Sequence, residues 1–236
     1  GVLAGQSFGN LILAALNGVT GSFEEAVRQM SQVLAITGQV IPVTSADVQL
    51  EAVFENGTQV VGESKICDFK KQQDCRIHHV NLIPAKPEPL PSALEAIRDA
   101  DLILLGPGSL YTSVIPNLLV EGVPQAIAET DALKIYICNI MTQDGETEGY
   151  TAADHVQALM EHGAPGMVDL CLANCAPVPE NLLGRYEEEG AVPLVVDRER
   201  IAAMGLELVE RPVAREKGDF ARHDPDKLAE AVLDIY

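Results

Sequence analysis

Residues 102–113 are the most informative stretch of the chain, and they read LILLGPGSLYTS. Four aliphatic residues run into a Gly-Pro-Gly corner, and side chains with hydroxyl groups follow it. A short apolar run that ends at glycine and proline is typical of a strand buried on both faces of a sheet. The stretch therefore predicts a buried strand, a tight turn and a helix that begins near Ser113.

The same alternation of apolar runs and helical segments continues through the C-terminal half. Further strands are expected at residues 135–140, 168–173 and 192–196, and helices at about 113–120, 152–161 and 180–188. Asp224 as N-cap and Pro225 at the first helical position predict a last helix that runs through Leu233. Apolar strands separated by helices indicate an α/β fold with a largely parallel sheet and helices on both faces.

The N-terminal part predicts two helices and then a small β lobe. Ser7 can cap a helix over residues 8–16, and Ser22 with Glu25 forms a capping box for a helix through about residue 34. Apolar side chains recur at every second position of residues 48–54, and an Asn-Gly turn leads from them into residues 58–61. This pattern indicates a β-hairpin. The polar residues 67–74 are expected to form an exposed loop, residues 75–83 a strand, and the proline-rich residues 84–91 a connector. We thus expect one α/β domain over residues 1–236 that contains a hairpin lobe at residues 39–83.

Composition and charge exclude several classes of partner. The 236 residues include 35 acidic and 16 basic ones, which gives a net charge of −19 at pH 7. Such a surface repels the phosphates of nucleic acids and an anionic membrane. The longest apolar run falls short of the roughly 20 residues that a spanning helix needs. We expect a soluble protein without nucleic-acid or membrane partners, and a homo-oligomer agrees with what is common among soluble proteins.

Cysteine usage favours a reducing compartment. Five cysteines are an odd number in a chain of this size, and no signal peptide is visible, so the cytoplasm is the expected location. No tight zinc pattern matches the spacing of the four candidate ligands, which are Cys67, Cys75, His78 and His79. His155 and His162 lie at the two ends of a predicted short helix, where surface positions are expected.

The Gly-Pro-Gly corner is a candidate anion site. At the end of a parallel strand, Gly106 and Gly108 let backbone amides approach an anion, and the N-terminus of the next helix favours negative charge. Ser109, Thr112 and Ser113 add hydroxyl donors. We expect a phosphate here, although for this motif alone an ordinary strand-to-helix turn carries about equal weight. The stretch is neither a Walker A loop, which needs a lysine, nor a G-x-G-x-x-G dinucleotide fingerprint.

A second polar loop, residues 139–151, follows the next predicted strand. Both loops are expected on one rim, because the carboxyl ends of parallel strands meet at the same edge of a sheet. The amides and hydroxyls of this loop suit ribose and sugar hydroxyls. Asp144, Glu146 or Glu148 could hold a divalent metal that bridges phosphates, and a solvated acidic loop is the alternative. Arg222, beside the last helix, is a candidate phosphate partner, with a surface ion pair as the alternative.

Four motifs together resemble the bacterial gluconeogenesis factor family, which lies within the wider 2-phospho-L-lactate transferase-like (CofD-like) group. The motifs are GQSFGNLILAAL at residues 5–16, GPGSLYTSVIPNLLVEGV at 106–123, YICNIMTQDGETEGYTAADHVQAL at 136–159 and ARHDPDKLAEAVLDIY at 221–236. The resemblance thus extends from residue 5 almost to the last residue.

This resemblance implies a Rossmann-like α/β fold and leaves three functions open. The gluconeogenesis-factor branch, whose motifs look like those of this chain, is linked to growth and cell shape on gluconeogenic carbon sources and is understood to bind UDP-activated sugars. The transferase branch moves a phospholactate group from a guanosine diphosphate carrier to a deazaflavin with a divalent metal, and it releases GMP in coenzyme F420 synthesis. The third is an interaction scaffold with a vestigial pocket.

Roles for individual residues follow from the first of these functions. The ligand phosphates are expected at Gly106, Gly108, Ser109 and Thr112, the sugar or ribose near Asn139 and Gln143, and Arg222 over the diphosphate. Further ligand-binding positions are expected at Ser7, Gly9, Asn10, Tyr111 and Thr142. In the transferase, Asp144 or Glu146 would hold Mg²⁺ to neutralise the departing charge.

Two departures from the family pattern matter. Relatives usually begin with a strand ending in a glycine-rich GGTG loop, followed by Asp-Asp-Gly-Gly and Pro-Gly-Asp stretches, and none of these occurs here. We therefore expect that the chain is an N-terminally incomplete version. Relatives also tend to have histidine at the position of Gln6. Because an amide does not titrate, Gln6 supports hydrogen bonding there rather than proton transfer.

Overall fold

The central element of the fold is a four-stranded parallel sheet in the order β4-β5-β6-β7. The computed structural model describes residues 7–73, 75–188, 190–218 and 220–236. The strands of the sheet are β4 (Leu102–Leu105), β5 (Leu133–Ile137), β6 (Leu170–Asn174) and β7 (Glu207–Arg211). Three of them fall where the apolar runs predicted strands, so the α/β fold with a parallel sheet is confirmed.

The fourth strand was placed wrongly from the sequence. Residues 192–196 make only two isolated bridges, Met141 with Pro193 and Thr151 with Val195, while β7 supplies the strand beside β6. Pro193 has no N–H to donate to a sheet ladder. β7 lies at the edge of the sheet and contains only two apolar residues, Leu208 and Val209, between charged ones, so it lacks the long apolar run of the buried strands.

Helices cover both faces of the sheet. On one face Ile135, Ile137, Leu170 and Leu172 pack against the last helix, α10 (Pro225–Ile235). On the other face Tyr136, Cys138 and Cys171 belong to the main core. The helices that complete this part of the chain are α4 (Pro91–Arg98), α5 (Ile115–Leu118), α6 (Val123–Glu129), α7 (Ala152–His162), α8 (Glu180–Glu188) and α9 (Arg198–Ala203). Residues 110–114 form a π-helical turn before α5.

The predicted hairpin lobe is present as a three-stranded antiparallel sheet in the order β2-β1-β3. Its strands are β1 (Gln49–Phe54), β2 (Gln59–Val61) and β3 (Ile77–Ile83). The predicted loop at residues 67–74 is wrong, because α3 (Glu63–Gln73) occupies most of that range. Ile66 is fully buried and Phe69 packs on Phe54 with ring centroids 4.5 Å apart, so a narrow apolar face holds a helix that is otherwise polar. The lobe shares the main core with the parallel sheet.

The chain begins with the predicted helix pair, α1 (Phe8–Thr20) and α2 (Phe23–Val33), and the helix caps agree with the sequence. Ser7 accepts from the N–H of Asn10, and Ser22 accepts from the N–H of Glu25. Among the described residues, every helix is too short or too polar to cross a lipid bilayer.

A two-stranded hairpin, β8 (Ala214–Lys217) and β9 (Phe220–His223), precedes the last helix. It was not predicted from the sequence, since its strands are only four residues long. It forms its own small antiparallel sheet and leads directly into α10.

Candidate functional site

An open cleft of about 1160 Å³ lies at the carboxyl ends of the parallel strands. Three segments supply most of its lining: the glycine corner after β4 (residues 106–109) through residues 107–109, the loop after β5 (residues 139–148) through residues 139–144, and the β8–β9 hairpin. This edge is where open α/β sheets bind their ligands. The structure therefore brings together the two polar loops that the sequence predicted on one rim.

The glycine corner requires glycine at its first position. Gly106 has φ +88°, and a Cβ atom there would lie 3.2 Å from the backbone oxygen of Ile137. Gly108 and Ser109 line the cleft. The Ser109 hydroxyl donates a hydrogen bond to Oε1 of Gln143, which joins the corner to the loop after β5.

A buried carboxylate occupies the start of the helical turn that follows the corner. Glu146 is fully buried, and its Oε2 accepts a hydrogen bond of 3.2 Å from the Tyr111 N–H. Its Oε1 accepts a hydrogen bond from the Thr112 hydroxyl. Burial raises the pKa of Glu146 above its usual range, while both donors act in the opposite direction. The Tyr111 hydroxyl is also bonded, since it lies 2.9 Å from the hydroxyl of Tyr150. The predicted donors Tyr111 and Thr112 are thus already paired within the chain.

The acidic residues of the loop do not present free ligands for a metal. Asp144 pairs with Lys71 of α3 at 2.6 Å. Glu148 pairs with Lys70 at 2.9 Å and also accepts from a backbone N–H. In the described part of the chain, no three His, Cys, Asp or Glu side chains are grouped as a metal site would need. Because Asp144 is paired with Lys71, Glu146 is buried and bonded to the helical turn, and no third ligand is grouped with them among the described residues, these residues do not fit a preformed Mg²⁺ site.

The β8–β9 hairpin directs basic side chains at the cleft. Arg215 and Arg222 are directly opposite each other in the register, and Lys217 is opposite Phe220, so all four lie on one face of the hairpin. All four line the cleft. The guanidinium of Arg222 lies 4.9 Å from the centroid of the Phe220 ring. The Nε atom of Arg215 is buried and has no hydrogen-bond partner among the described residues.

Three anchors hold this hairpin over the edge of the sheet. The Ala214 N–H donates to Oδ1 of Asn174 at the end of β6, and Nε2 of His223 donates to the backbone oxygen of Cys138 just after β5. The Ala221 N–H donates to the hydroxyl of Tyr186 in α8. Burial lowers the pKa of His223, which favours the neutral ring. The position of the basic face is therefore set by the edge of the sheet together with α8.

Sequence reasoning found only Arg222 among these cleft-facing cations. It missed Arg215 and Lys217, although Gly218 just after them was a signal for the turn of a short hairpin. Among the described residues, the charged side chains that line the cleft are four cations and one carboxylate: Lys71, Arg215, Lys217, Arg222 and Asp144.

The other predicted site residues divide into two groups. Asn139, Thr142 and Gln143 line the cleft, although the Thr142 hydroxyl also accepts the N–H of Val192. The structure does not bring α1 to this cleft: the residues concerned, Ser7, Gly9 and Asn10, lie outside its lining, and Ser7 acts as a helix cap. Gln6 is outside the described residues.

The expectation that both histidines of α7 lie on the surface is wrong. His155 is fully buried, and its Nδ1 donates to the Thr151 backbone oxygen at 2.9 Å. His162 is half-buried, and its two ring nitrogens bond to the Ala158 oxygen and the Val80 N–H. Both face inward because α7 packs into the main core.

Comparisons with known proteins give matches over the whole chain. The family profile described as 2-phospho-L-lactate transferase CofD matches residues 1–214. The gluconeogenesis factor of Bacillus subtilis is 46% identical over 233 residues, which are 99% of this chain and 72% of that protein. The gluconeogenesis factor of Listeria innocua is 39% identical, over 99% of this chain and 70% of that protein. A crystal structure of a Bacillus halodurans protein matches with a TM-score of 0.93 at 44% identity, and covers 99% of this chain and 74% of the other.

Proposed function

This chain belongs to the CofD family, with gluconeogenesis factors among its relatives, and from that premise we propose that it binds a UDP-sugar in the cleft and regulates carbon metabolism. The metabolic role follows the names of the relatives. The ligand class rests on the chemistry of the cleft. A link to cell shape, which the resemblance implies, belongs to the same proposal.

The observation that carries the proposal is the charge of the cleft. The chain has a net charge of −19, yet the described charged side chains in the cleft are four cations against Asp144 alone. Cations gathered in a cleft of an acidic protein attract an anionic ligand to that cleft. A diphosphate is an anion of suitable size for such a group, since arginines bind phosphate oxygens through paired N–H donors.

The uncharged lining of the cleft supports a nucleotide that carries a neutral sugar. Asn139 and Gln143 offer amide groups for hydroxyl or carbonyl partners. Met141, Tyr186 and Phe220 provide an apolar wall on which a base or a sugar ring can pack. A nucleotide sugar has a charged diphosphate between two uncharged ends. Its diphosphate can contact the cations, and its base and sugar can contact the uncharged lining.

Binding without turnover is the activity that these residues favour. In the described part of the loop, the carboxylates that could hold a metal are bonded to lysines or to the helical turn. We place the protein in the cytoplasm, since all five cysteines are free thiols and a reducing compartment keeps them so.

The proposal is tested by calorimetry with UDP-N-acetylglucosamine and with GDP, each with and without Mg²⁺. We expect the UDP-sugar to bind without metal and to be recovered intact by chromatography. Arg222→Met should weaken this binding by about 10-fold or more, because a charge-assisted hydrogen bond is lost. Arg98→Met is the matched control, since it removes the same charge at an exposed position away from the cleft.

Two other outcomes would replace this function. A preference for GDP that requires Mg²⁺, together with release of GMP when phospholactate-guanosine diphosphate and a deazaflavin are supplied, would identify a transferase. Absence of binding to either nucleotide would identify a scaffold whose pocket is vestigial.

A further inference from the structure

We infer that the diphosphate of the ligand binds the basic face of the β8–β9 hairpin, and that the glycine corner holds an uncharged part of the ligand. This assignment rests on the proposed function and specifies how the ligand lies in the cleft. The sequence predicted the phosphates against the corner, with Arg222 over the diphosphate; this assignment keeps Arg222, adds Arg215 and Lys217, and moves the phosphates away from the corner.

The first argument is that two of the donors beside the corner are already bonded to a carboxylate of the chain. A helical turn after a glycine-rich loop binds phosphate through its free N–H groups and nearby hydroxyls. Here the carboxylate of Glu146 takes both the Tyr111 N–H and the Thr112 hydroxyl. A phosphate at the same place would meet a buried carboxylate, and like charges at such short range repel strongly in a buried environment.

The second argument is the arrangement of cations on the hairpin. Arg215 and Arg222 are opposite each other across two antiparallel strands, an arrangement of like charges that destabilises a hairpin on its own. Lys217 lies on the same face. An anion between these side chains would remove the repulsion. The buried Nε of Arg215, which has no partner among the described residues, is a donor that such an anion would satisfy.

The third argument is the character of the corner itself. The Ser109 hydroxyl and the Gln143 amide are joined by a hydrogen bond and carry no charge. Gln143 uses its oxygen in this bond, so its N–H groups remain as donors for an acceptor on a neutral group. A sugar or nucleoside hydroxyl, or a base carbonyl, fits these donors without requiring a cation.

The test uses two probes, inorganic pyrophosphate and UDP-N-acetylglucosamine, on the full chain. Three variants are compared by calorimetry: Arg215→Met and Lys217→Met on the hairpin, and Ser109→Ala at the corner. Thermal melting confirms that each variant folds, and Lys217 is exposed, so its variant is informative if Arg215→Met does not fold. We expect the hairpin variants to lose about 10-fold or more in affinity for pyrophosphate, and Ser109→Ala to change it by less than about 2-fold. All three should weaken binding of the nucleotide sugar.

The assignment is overturned if pyrophosphate affinity falls in Ser109→Ala and is unchanged in the hairpin variants. It is also overturned if the unaltered chain does not bind pyrophosphate. Failure of the proposed function looks different: the nucleotide sugar would not bind, while pyrophosphate binding would still depend on the hairpin.

Discussion

The Ser109 hydroxyl donates a hydrogen bond of 2.7 Å to Oε1 of Gln143. These residues are 34 positions apart and belong to the loops that follow neighbouring strands, β4 and β5. The bond determines which end of the Gln143 amide faces the glycine corner. The two loops are therefore joined at the point where both reach the cleft.

Ser109→Ala should weaken UDP-sugar binding by roughly 3- to 10-fold, because the Gln143 amide loses the bond that orients it and a net hydrogen bond contributes about 0.5–1.5 kcal/mol. Calorimetry measures the affinity. Ser113→Ala is the control, since Ser113 also lines the cleft but the structure shows no hydrogen bond from its hydroxyl to another described residue. Equal losses in both variants would contradict the orienting role of Ser109.

Gly106→Ala should destabilise the chain by about 1–3 kcal/mol, because a side chain is strained at positive φ and the new Cβ would press on the Ile137 backbone oxygen. Chemical denaturation gives the free energy of unfolding. Gly18→Ala is the matched control in α1, where the added methyl meets nothing within 4 Å. There we expect stabilisation of about 0.5–1 kcal/mol, since alanine favours helix interiors. A Gly106 variant as stable as the unaltered chain would disprove the conformational requirement.

Glu146→Ala should lower the free energy of unfolding by about 2–5 kcal/mol, because two donors near the glycine corner lose their acceptor and each unsatisfied group costs about 1–3 kcal/mol. Glu146→Gln should cost less, since the amide keeps one acceptor oxygen. The exposed Glu95→Ala in α4 serves as the control and should change stability by less than about 0.5 kcal/mol. If Glu146→Ala lowers the free energy of unfolding no more than the control does, Glu146 does not stabilise the helical turn after the glycine corner.

Stability should fall as the pH is lowered from about 6.5, and His162 should contribute to this loss. The neutral ring donates from Nδ1 to the Ala158 oxygen and accepts the Val80 N–H at Nε2, and burial lowers its pKa. Below the unfolded pKa the unfolded chain binds a proton that the folded chain does not, so acid favours unfolding. The loss continues down to the folded pKa, with a slope of at most about 1.4 kcal/mol per pH unit for this group.

His162→Gln tests this contribution by urea unfolding at a series of pH values from 7.5 to 5.5. The variant should be less stable at pH 7.5 but should show a shallower dependence on pH. Burial also lowers the pKa values of His155 and His223, so part of the slope should remain. His78→Gln, at an exposed position of β3, is the control. An unchanged slope in His162→Gln would rule out the contribution of this residue.

Local signals predicted much of the fold. Ser7, Ser22 and Asp224 cap helices as expected, because a cap and the N–H groups it satisfies lie within about three residues of each other. The Asn-Gly turn and the alternation around it located the β1–β2 hairpin. The apolar runs located three of the four parallel strands.

The errors share one cause, which is that a tertiary contact overrode the local pattern. Residues 67–74 are polar and suggested a loop, yet the packing of Phe69 on Phe54 stabilises α3 there. Residues 192–196 are apolar and suggested a strand, yet β7 takes that place in the sheet. The histidines of α7 suggested surface positions, yet the helix turns them toward the core.

The sequence by itself determined the parallel α/β architecture and the polar character of two loops at one rim, since periodicity, caps and turn residues act over a few positions along the chain. Only the tertiary structure decided how the cleft is charged. The bond from Glu146 to Tyr111 spans 35 positions, and the anchor from His223 to Cys138 spans 85. Which donors are occupied and which cations face a ligand depends on these long-range contacts, because burial and pairing are properties of the neighbours that folding brings together.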